Sequence, residues 1–260
     1  MVVFFDIDGT IVDEKTQQIP QSAIDAVATL TERGHIPVIN TGRPYCHIDP
    51  RVRQMAFPAW VCGCGMEVLY QGNWLSRQHP GDDLCAYVIR RARECGMLTL
   101  YEAQEGAIVL DGSYALHPAI QLEKTRMAAK GFRICTVEEH PRFMKFLTWD
   151  APGCRREVFL RDMEPYFSVI DRGNTAVEYV TKGCSKAGGM ALLLESLGVS
   201  REQTLAIGDS TNDLPMLRAA GHTVCMGGGV EELKAVSDYV TAPVMEDGIA
   251  KALRHFGLMD

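Results

Sequence analysis

The chain has 260 residues, with 26 Lys and Arg against 33 Asp and Glu, so its formal net charge is −7. This length predicts one large domain or two modest ones, and 47% hydrophobic with 23% charged residues is typical of a globular protein. General nucleic-acid binders usually carry a basic excess, so we expect no nucleic-acid partner. A small anionic substrate is not excluded, because one local cation can outweigh a distant net charge.

The cysteines and the N-terminus bear on location. Nine cysteines are spread along the chain, and no two of them form a CxxC pair. Asp6 follows a short apolar run at the N-terminus, without the basic and long apolar regions of a signal peptide. No apolar run approaches the length of about 18 residues that spans a bilayer. We therefore expect reduced thiols, a cytoplasmic location and no membrane partner.

The first part of the chain predicts a parallel α/β sheet. Residues 2–5 are wholly apolar, as in a strand that is covered on both faces. Apolar residues at helical spacing over 22–33 predict a helix that Gly34 ends, and residues 35–40 predict a second strand. A strand, a helix and a strand within about 40 residues form a βαβ unit, which requires parallel strands.

The middle of the chain shows a different pattern. One helix is predicted at 83–95, and a turn at Asp111 and Gly112 favours antiparallel pairing with helices on one face. The predicted short strands lie at 98–101, 108–110, 145–148, 167–170 and 177–180.

The C-terminal quarter returns to alternating strands and helices. We therefore expect a core formed by residues 1–81 and 181–260, with residues 82–180 inserted as an α+β domain. The C-terminal elements are predicted at 186–197, 204–207, 212–220, 223–226, 230–236, 239–240 and 246–256.

Two carboxylates follow the first predicted strand. Ligands of open parallel α/β sheets bind beyond the carboxyl ends of the strands, which is where Asp6, Asp8 and Gly9 fall. Residues two apart in an extended segment share a face, so the two carboxylates are expected to lie close together. Such a pair suits a hard cation such as Mg²⁺. The alternative is an ordinary turn rich in Asp and Gly.

Two further segments could bind an anion. Thr41 follows the second predicted strand, Gly42 lets a ligand approach the backbone, and Pro44 suits the first turn of a helix. A lysine near the end of the inserted segment, Lys182 or Lys186, could neutralise phosphate oxygens or simply be a surface charge. Either segment alone is weak evidence.

A last group of polar residues follows another predicted strand. Asp209 emerges at the strand end, and Asn212 and Asp213 begin a helix, where such residues also serve as caps. Together, the four segments supply what Mg²⁺-assisted phosphoryl transfer to a carboxylate requires. The chain contains no GxxxxGK[ST], GxGxxG, HExxH or GxSxG motif.

In this order, DIDGT from Asp6, TGR from Thr41, SK from Ser185 and GDSTND from Gly208 resemble the four motifs of the haloacid dehalogenase (HAD) superfamily. The long insertion between the second and third motifs is similar to that of the Cof-like phosphatases of subfamily IIB, which carry an α/β cap there. The resemblance covers essentially the whole chain. It implies a Rossmann-like parallel-sheet core and an inserted α+β cap domain, an antiparallel sheet with helices, that selects the substrate.

The resemblance also implies residue roles. Asp6 would be the nucleophile that forms an aspartyl-phosphate, and Asp8 would be the general acid and base. Lys186 is preferred to Lys182 because it follows Ser185 and opens a helix. The implied Mg²⁺ ligands are Asp6, Asp8 through its carbonyl, Asp209 and Asp213, the last of which could instead orient Lys186. The implied phosphate- or substrate-binding residues are Thr41, Gly42, Arg43, Lys186 and Asn212.

One segment departs from the family pattern. Members often have an Asn-Gly-Ala turn after the third core strand, whereas this chain has Cys64 and Met66 within a Gly-Cys-Gly-Met sequence. A substrate contact by an amide at Cys64 is therefore not carried over.

The resemblance favours a Mg²⁺-dependent phosphatase that hydrolyses small phosphorylated metabolites, such as sugar phosphates, through an aspartyl-phosphate. A phosphotransferase or phosphomutase that acts on hexose phosphates is the main alternative, because the motifs do not separate it from a hydrolase. A non-hydrolytic sensor of phosphorylated ligands is a third possibility, although it would not need a nucleophile at Asp6. A monomer or weak homodimer is expected.

Overall fold

The computed structural model describes residues 1–104, 107–110, 118–129, 131–139, 142–173 and 175–260. It divides into two compact units. The first comprises Met1–Arg43, Ile48–Arg77 and Ser185–Asp260, and the second comprises Pro44–His47 and Gln78–Cys184. The division thus falls at 77 and 184, rather than at 81 and 180. The sequence did not indicate that Pro44–His47 belongs to the second unit, where it packs through a buried histidine.

The first unit is built on an eight-stranded sheet with the order β14-β13-β12-β1-β2-β3-β4-β5. Strands β14 to β3 are parallel to their neighbours, as the βαβ pattern predicted. Strands β4 and β5 continue the sheet by antiparallel pairing, which was not predicted. The strands are β1 (Val2–Phe5), β2 (Ile36–Asn40), β3 (Ala59–Cys62), β4 (Glu67–Tyr70), β5 (Asn73–Arg77), β12 (Thr204–Gly208), β13 (His222–Cys225) and β14 (Tyr239–Val240).

Helices cover this sheet and bury β1 completely. One core cluster joins Val2 and Phe4 of β1 to Met190 and Leu193 of α6 and Met216 of α7. Because β1 lies between β2 and β12, its carboxyl end is held at the centre of the sheet. The helices of this unit are α1 (Gln21–Glu32), α2 (Pro50–Arg53), α6 (Lys186–Leu197), α7 (Leu214–Ala219), α8 (Glu231–Lys234) and α9 (Gly248–His255).

The second unit contains a separate six-stranded sheet with the order β10-β11-β9-β6-β7-β8. The pairing is antiparallel except between β7 and β8, which are parallel. This agrees with the α+β insertion expected from the sequence. The elements are α3 (Asp82–Cys95), β6 (Leu98–Glu102), β7 (Ala107–Leu110), α4 (Pro118–Ala129), β8 (Arg133–Thr136), β9 (Lys145–Trp149), α5 (Arg156–Met163), β10 (Phe167–Gly173) and β11 (Ala176–Thr181).

Helices pack on both faces of this second sheet, so the expectation of helices on one face was wrong. Tyr101 of β6 joins a core with residues of α3 and α5, whereas its neighbour Leu100 packs with Ile120 of α4. Successive strand residues point to opposite faces, and α4 was not recognised in the sequence. The turn predicted at Asp111 and Gly112 lies outside the described residues. Every helix within the described ranges is too short or too polar to cross a lipid bilayer.

Buried charges lie across three strands of the second sheet. Lys145 Nζ is 2.6 Å from Glu178 Oε1 and 3.2 Å from Glu102 Oε2. Arg172 Nε donates to the other Glu178 oxygen over 2.7 Å. Burial alone would raise the pKa of Glu178, but Lys145 and Arg172 outweigh it and lower the pKa to about 2. The ionised form of Glu178 therefore stabilises the folded state at neutral pH.

This ion cluster predicts a defined acid sensitivity. An unfolded glutamate has a pKa of about 4.3, so the stabilisation from ionised Glu178 is present above that value and is lost as the pH falls toward 2. Glu178→Gln mimics the protonated form. We expect it to lower the free energy of unfolding by about 3 kcal/mol at pH 7, and the difference from wild type to shrink by roughly 2 kcal/mol at pH 3. Urea titrations across this pH range measure both effects.

The matched control is Glu157→Gln on α5, which changes an exposed glutamate. It should follow the wild-type curve at every pH. If the difference in the free energy of unfolding between wild type and Glu178→Gln is the same at pH 7 and pH 3, ionised Glu178 does not stabilise the fold in the way described.

Candidate active site

The site begins where β1 ends. Asp6 follows Phe5, is 5% exposed and donates its backbone N–H to the carbonyl of Ile207 on β12. The chain then turns tightly, because the carbonyl of Ile7 accepts hydrogen bonds from the N–H groups of residues 10, 11 and 12. Asp8 therefore lies within this turn, beyond the end of β1.

Two features of this turn require a glycine at position 9. Its φ is +76°, a left-handed conformation that other residues rarely adopt. A Cβ on Gly9 would also lie only 2.2 Å from Oδ2 of Asp209. Next to it, the Thr10 hydroxyl donates to Asp209 Oδ1 over 3.3 Å. The first motif therefore makes room for the Asp209 carboxylate and binds it.

The loop after β12 places the other two carboxylates. Asp209 follows Gly208, and Asp213 Oδ2 accepts hydrogen bonds from the backbone N–H groups of Asp209 and Ser210 at 3.0 and 3.1 Å. A Cβ on Gly208 would lie 2.6 Å from the Asp213 carboxylate, so glycine is needed for this approach. Carboxylate oxygens of Asp6, Asp209 and Asp213 all lie within 4.8 Å of one another.

Lys186 lies at the start of α6 and is 2% exposed. Its Nζ is 2.8 Å from Asp6 Oδ1 and donates to Asp213 Oδ1 over 2.6 Å. The Ser185 hydroxyl caps the helix by accepting from the N–H of Gly188, and the Asn40 amide donates to the carbonyl of Lys186. Lys186, rather than Lys182, is thus the lysine that reaches the carboxylates.

This cluster contains three acidic side chains and one lysine. Burial raises the pKa of Asp6 to about 7 although Lys186 opposes the shift. Burial, with Asp6 and Asp213 nearby, raises the pKa of Asp209 to about 8. Burial would lower the pKa of Lys186, but Asp213 and Asp6 hold it above its usual value. One lysine therefore does not balance three carboxylates, and the cluster favours an additional cation.

The carboxylate of Asp8 has a different partner. Arg43 binds it in a bidentate ion pair, with Nε to Oδ2 at 2.7 Å and Nη2 to Oδ1 at 2.8 Å. About a third of each side chain is exposed. Two residues predicted to bind metal and phosphate are thus brought together as an ion pair.

The second motif lies at the end of β2, beside the Gly63–Gly65 turn. Thr41 is buried, and its hydroxyl accepts from the N–H of Arg43 over 3.2 Å. A Cβ on Gly42 would lie 3.4 Å from the sulfur of Cys64. In the fourth motif, the Asn212 side chain accepts from the Ser210 hydroxyl over 2.8 Å.

The sequence reasoning missed the glycines that seat Lys186. Gly65 has a φ of +88°, and a Cβ there would lie 2.3 Å from the carbonyl oxygen of Ser185. A Cβ on Gly189 of α6 would lie 2.7 Å from the Cα of Gly65. The Gly-x-Gly sequence that ends at Gly65 could have indicated a close backbone approach. The helix that approaches it is more than a hundred residues away in the chain, so the sequence did not identify the partner.

The chain matches the haloacid dehalogenase-like hydrolase family over residues 3–253. This is nearly the full length of the sequence.

The chain belongs to this family.

Relatives and a solved structure are similar to this chain over nearly its full length. YkrA of Bacillus subtilis (strain 168) is 31% identical, over 99% of this chain and 98% of YkrA. The 5-amino-6-(5-phospho-D-ribitylamino)uracil phosphatase YitU of the same organism is 28% identical, over 98% and 97% of the two chains. The solved structure of the subclass IIB sugar phosphatase BT4131 shares the fold, with a TM-score of 0.80, 24% identity and 99% coverage of both chains. The protein is an enzyme of the phosphatase type.

A side chain at Gly9 should disturb the site, because a Cβ there would overlap the Asp209 carboxylate. Gly9→Ala should destabilise the fold by about 1–2 kcal/mol through its positive φ, and should also displace Asp209. We expect phosphatase activity to fall by about 100-fold or more, because small displacements of reacting groups are that costly. Phosphate release from p-nitrophenyl phosphate and urea unfolding measure the two effects.

Gly34→Ala is the matched control, because Gly34 has nearly the same φ, +75°, with nothing within 4 Å of a Cβ. It should lose similar stability and keep wild-type activity. Equal activity in the two variants would show that the crowding at Asp209 has no catalytic consequence.

Proposed function

We propose that the protein is a Mg²⁺-dependent phosphatase that hydrolyses small phosphomonoesters through a phosphorylated Asp6. The observation that carries this proposal is the buried contact of Lys186 with Asp6, which itself has a carboxylate oxygen within 4.8 Å of oxygens of Asp209 and Asp213. A purely structural ion pair would not need Asp209, whose burial beside other acids is unfavourable.

The donor set fits magnesium. Asp6, Asp209 and Asp213 offer oxygen ligands only, which hard divalent cations prefer. Burial raises the pKa of Asp6 to about 7 and that of Asp209 to about 8, so a further positive charge would be needed to keep both carboxylates ionised at neutral pH. Asp6 and Asp209 would hold the ion with the backbone carbonyl of Asp8, and Asp213 would support the ion and orient Lys186. Bound Mg²⁺ supplies positive charge that stabilises the ionised carboxylates and the phosphoryl oxygens.

Asp6 would attack the phosphorus atom of the substrate. A carboxylate oxygen forms the new bond to phosphorus while the bond to the leaving oxygen breaks, as in other enzymes with a carboxylate nucleophile. Lys186 holds Oδ1 of Asp6 and favours the ionised form that this attack needs. The lysine also supplies positive charge for the phosphoryl group as its geometry changes.

Asp8 would move the protons. In the first step its protonated form gives a proton to the leaving oxygen, and the resulting carboxylate then accepts a proton from the attacking water. That water displaces Asp6 from phosphorus, which releases inorganic phosphate and restores the nucleophile. Thr41, Gly42 and Asn212 are proposed to bind phosphate or substrate beside Lys186, whereas Arg43, expected from the resemblance to do the same, donates to the Asp8 carboxylate.

Small phosphorylated metabolites, with sugar phosphates favoured, are the proposed substrates, and the second unit is proposed to select among them. Support comes from YitU and BT4131, whose names describe phosphatases of a phosphoribityl compound and of sugars. A screen of phosphate release over many phosphorylated metabolites tests this directly. Isomerisation of a hexose 1-phosphate without phosphate release would favour the mutase alternative instead. A cytoplasmic enzyme, monomeric or weakly dimeric, without a nucleic-acid partner remains our expectation.

The nucleophile assignment predicts the effect of Asp6→Asn. We expect this isosteric change to lower turnover by about 10⁴-fold or more, because the nucleophile is lost. Stability should change little in comparison, which circular dichroism and urea unfolding will check. Asp25→Asn, an exposed aspartate of α1, is the control and should keep full activity. Substantial turnover by the Asp6→Asn protein would rule out the phosphorylated Asp6.

The metal assignment predicts that EDTA removes activity and that added Mg²⁺ restores it. Mg²⁺ should also raise the unfolding temperature of the wild-type protein, since a ligand that binds only the folded state stabilises it. Asp209→Asn should require a higher Mg²⁺ concentration for both effects. Activity that is indifferent to chelation would remove the metal from the proposal.

A further inference from the structure

The guanidinium of Arg43 makes two hydrogen bonds to the carboxylate of Asp8. Nε and Nη2 donate to the two carboxylate oxygens at 2.7 and 2.8 Å. A bidentate pair fixes the plane of the carboxylate as well as its position, which a lysine would not do. The backbone of Arg43 is itself tied down, because its N–H donates to the Thr41 hydroxyl and its carbonyl accepts from the N–H of Gly63.

The residues after Arg43 belong to the second unit. We name Pro44–His47 the strap, because it leaves the first unit at Arg43 and returns to it at Ile48. Cys46 Sγ lies 3.6 Å from the carbonyl oxygen of Ala103. The His47 ring is 5% exposed and lies 4.6 Å from the ring of Phe132, centroid to centroid, with Nδ1 3.9 Å from Glu102. The strap is thus anchored in the second unit by its own side chains.

We propose that Arg43 is a positioning residue that orients Asp8 for proton transfer, and that the adjoining strap helps to hold Arg43 in place. The inference rests on the proposed role of Asp8 as general acid and base. Arg43 acts through Asp8 in this proposal, whereas direct phosphate binding would require its Nε and Nη2 atoms to leave the carboxylate. The backbone of Arg43 is held on one side by Thr41 and Gly63 and on the other by its peptide bond to the strap, so loosening the strap removes one of two restraints on the guanidinium.

The effect of Arg43 on proton transfer by Asp8 should depend on the leaving group. A p-nitrophenolate departs without a proton, so its release needs no oriented acid, whereas the alkoxide of a hexose 6-phosphate does need one. Arg43→Lys keeps the positive charge and removes the fork that fixes the carboxylate plane. We expect kcat/KM for the hexose 6-phosphate, which reports the transfer of the phosphoryl group to Asp6, to fall about 30- to 100-fold, within the range of general acid catalysis. The kcat/KM for p-nitrophenyl phosphate should fall less than about threefold, because the later hydrolysis of phosphorylated Asp6 does not enter this ratio.

Other results are readily distinguished. Equal losses on the two substrates, with weaker inhibition by inorganic phosphate, would make Arg43 a phosphate ligand and overturn the proposal. Unchanged kinetics on both substrates would also overturn it. If the wild-type protein hydrolyses neither substrate, the proposed function itself fails, which is a separate outcome from an unselective Arg43→Lys effect.

The strap has its own test. His47→Ala removes the ring that packs on Phe132, and should produce the same selective loss on the hexose 6-phosphate, at about threefold to tenfold. Met163→Ala on α5 is the control, because Met163 is fully buried in the second unit and lies outside the strap. It should destabilise the protein without changing the ratio of the two activities. Equal ratios in the His47→Ala and wild-type proteins would exclude the strap from the proposal, and a changed ratio in Met163→Ala would show that any loosening of the second unit suffices.

Discussion

The contact of Lys186 with Asp6 and Asp213 is the constraint on which the first unit depends. All three side chains are almost completely buried, and each charge taken from water costs several kcal/mol unless good partners compensate it. The surrounding backbone is accordingly built for close approach. Glycines stand where any Cβ would overlap a partner group, at Gly9 against Asp209, at Gly208 against Asp213 and at Gly65 against the residue before Lys186.

The parallel sheet explains why residues so far apart in the chain can meet in this way. Strands β1 and β12 are neighbours, so Asp6 and Asp209 emerge side by side although about two hundred residues separate them. Helix α6 begins directly after the inserted segment and delivers Lys186 to the same place. The inserted second unit can therefore have its own sheet and core while the strand ends of the first unit remain in register.

The two carboxylates of the first motif are held in different ways, which suits different chemical roles. Asp6 is buried and fixed by Lys186, which suits its proposed role as the nucleophile. Asp8 is partly exposed and is paired with Arg43, which fixes the plane of its carboxylate while leaving it accessible. The second unit uses its buried charges around Glu178 in a third way, for stability across its sheet. In each case, burial and the number of partners decide how firmly a carboxylate is held.

The sequence by itself determined the elements with strong periodicity, such as β1 and α6, and the motif residues Asp6 and Asp209, because apolar runs and rare residue strings are local signals. It did not reveal α4, the added strands β4 and β5, or helices on both faces of the second sheet, since short segments carry little periodicity and their faces are decided by packing partners. Only the tertiary structure decided that Asp8 pairs with Arg43, that Gly65 makes room for α6, and that Pro44–His47 belongs to the second unit. Each of these features depends on residues that are distant in the chain. A local sequence pattern does not specify such contacts.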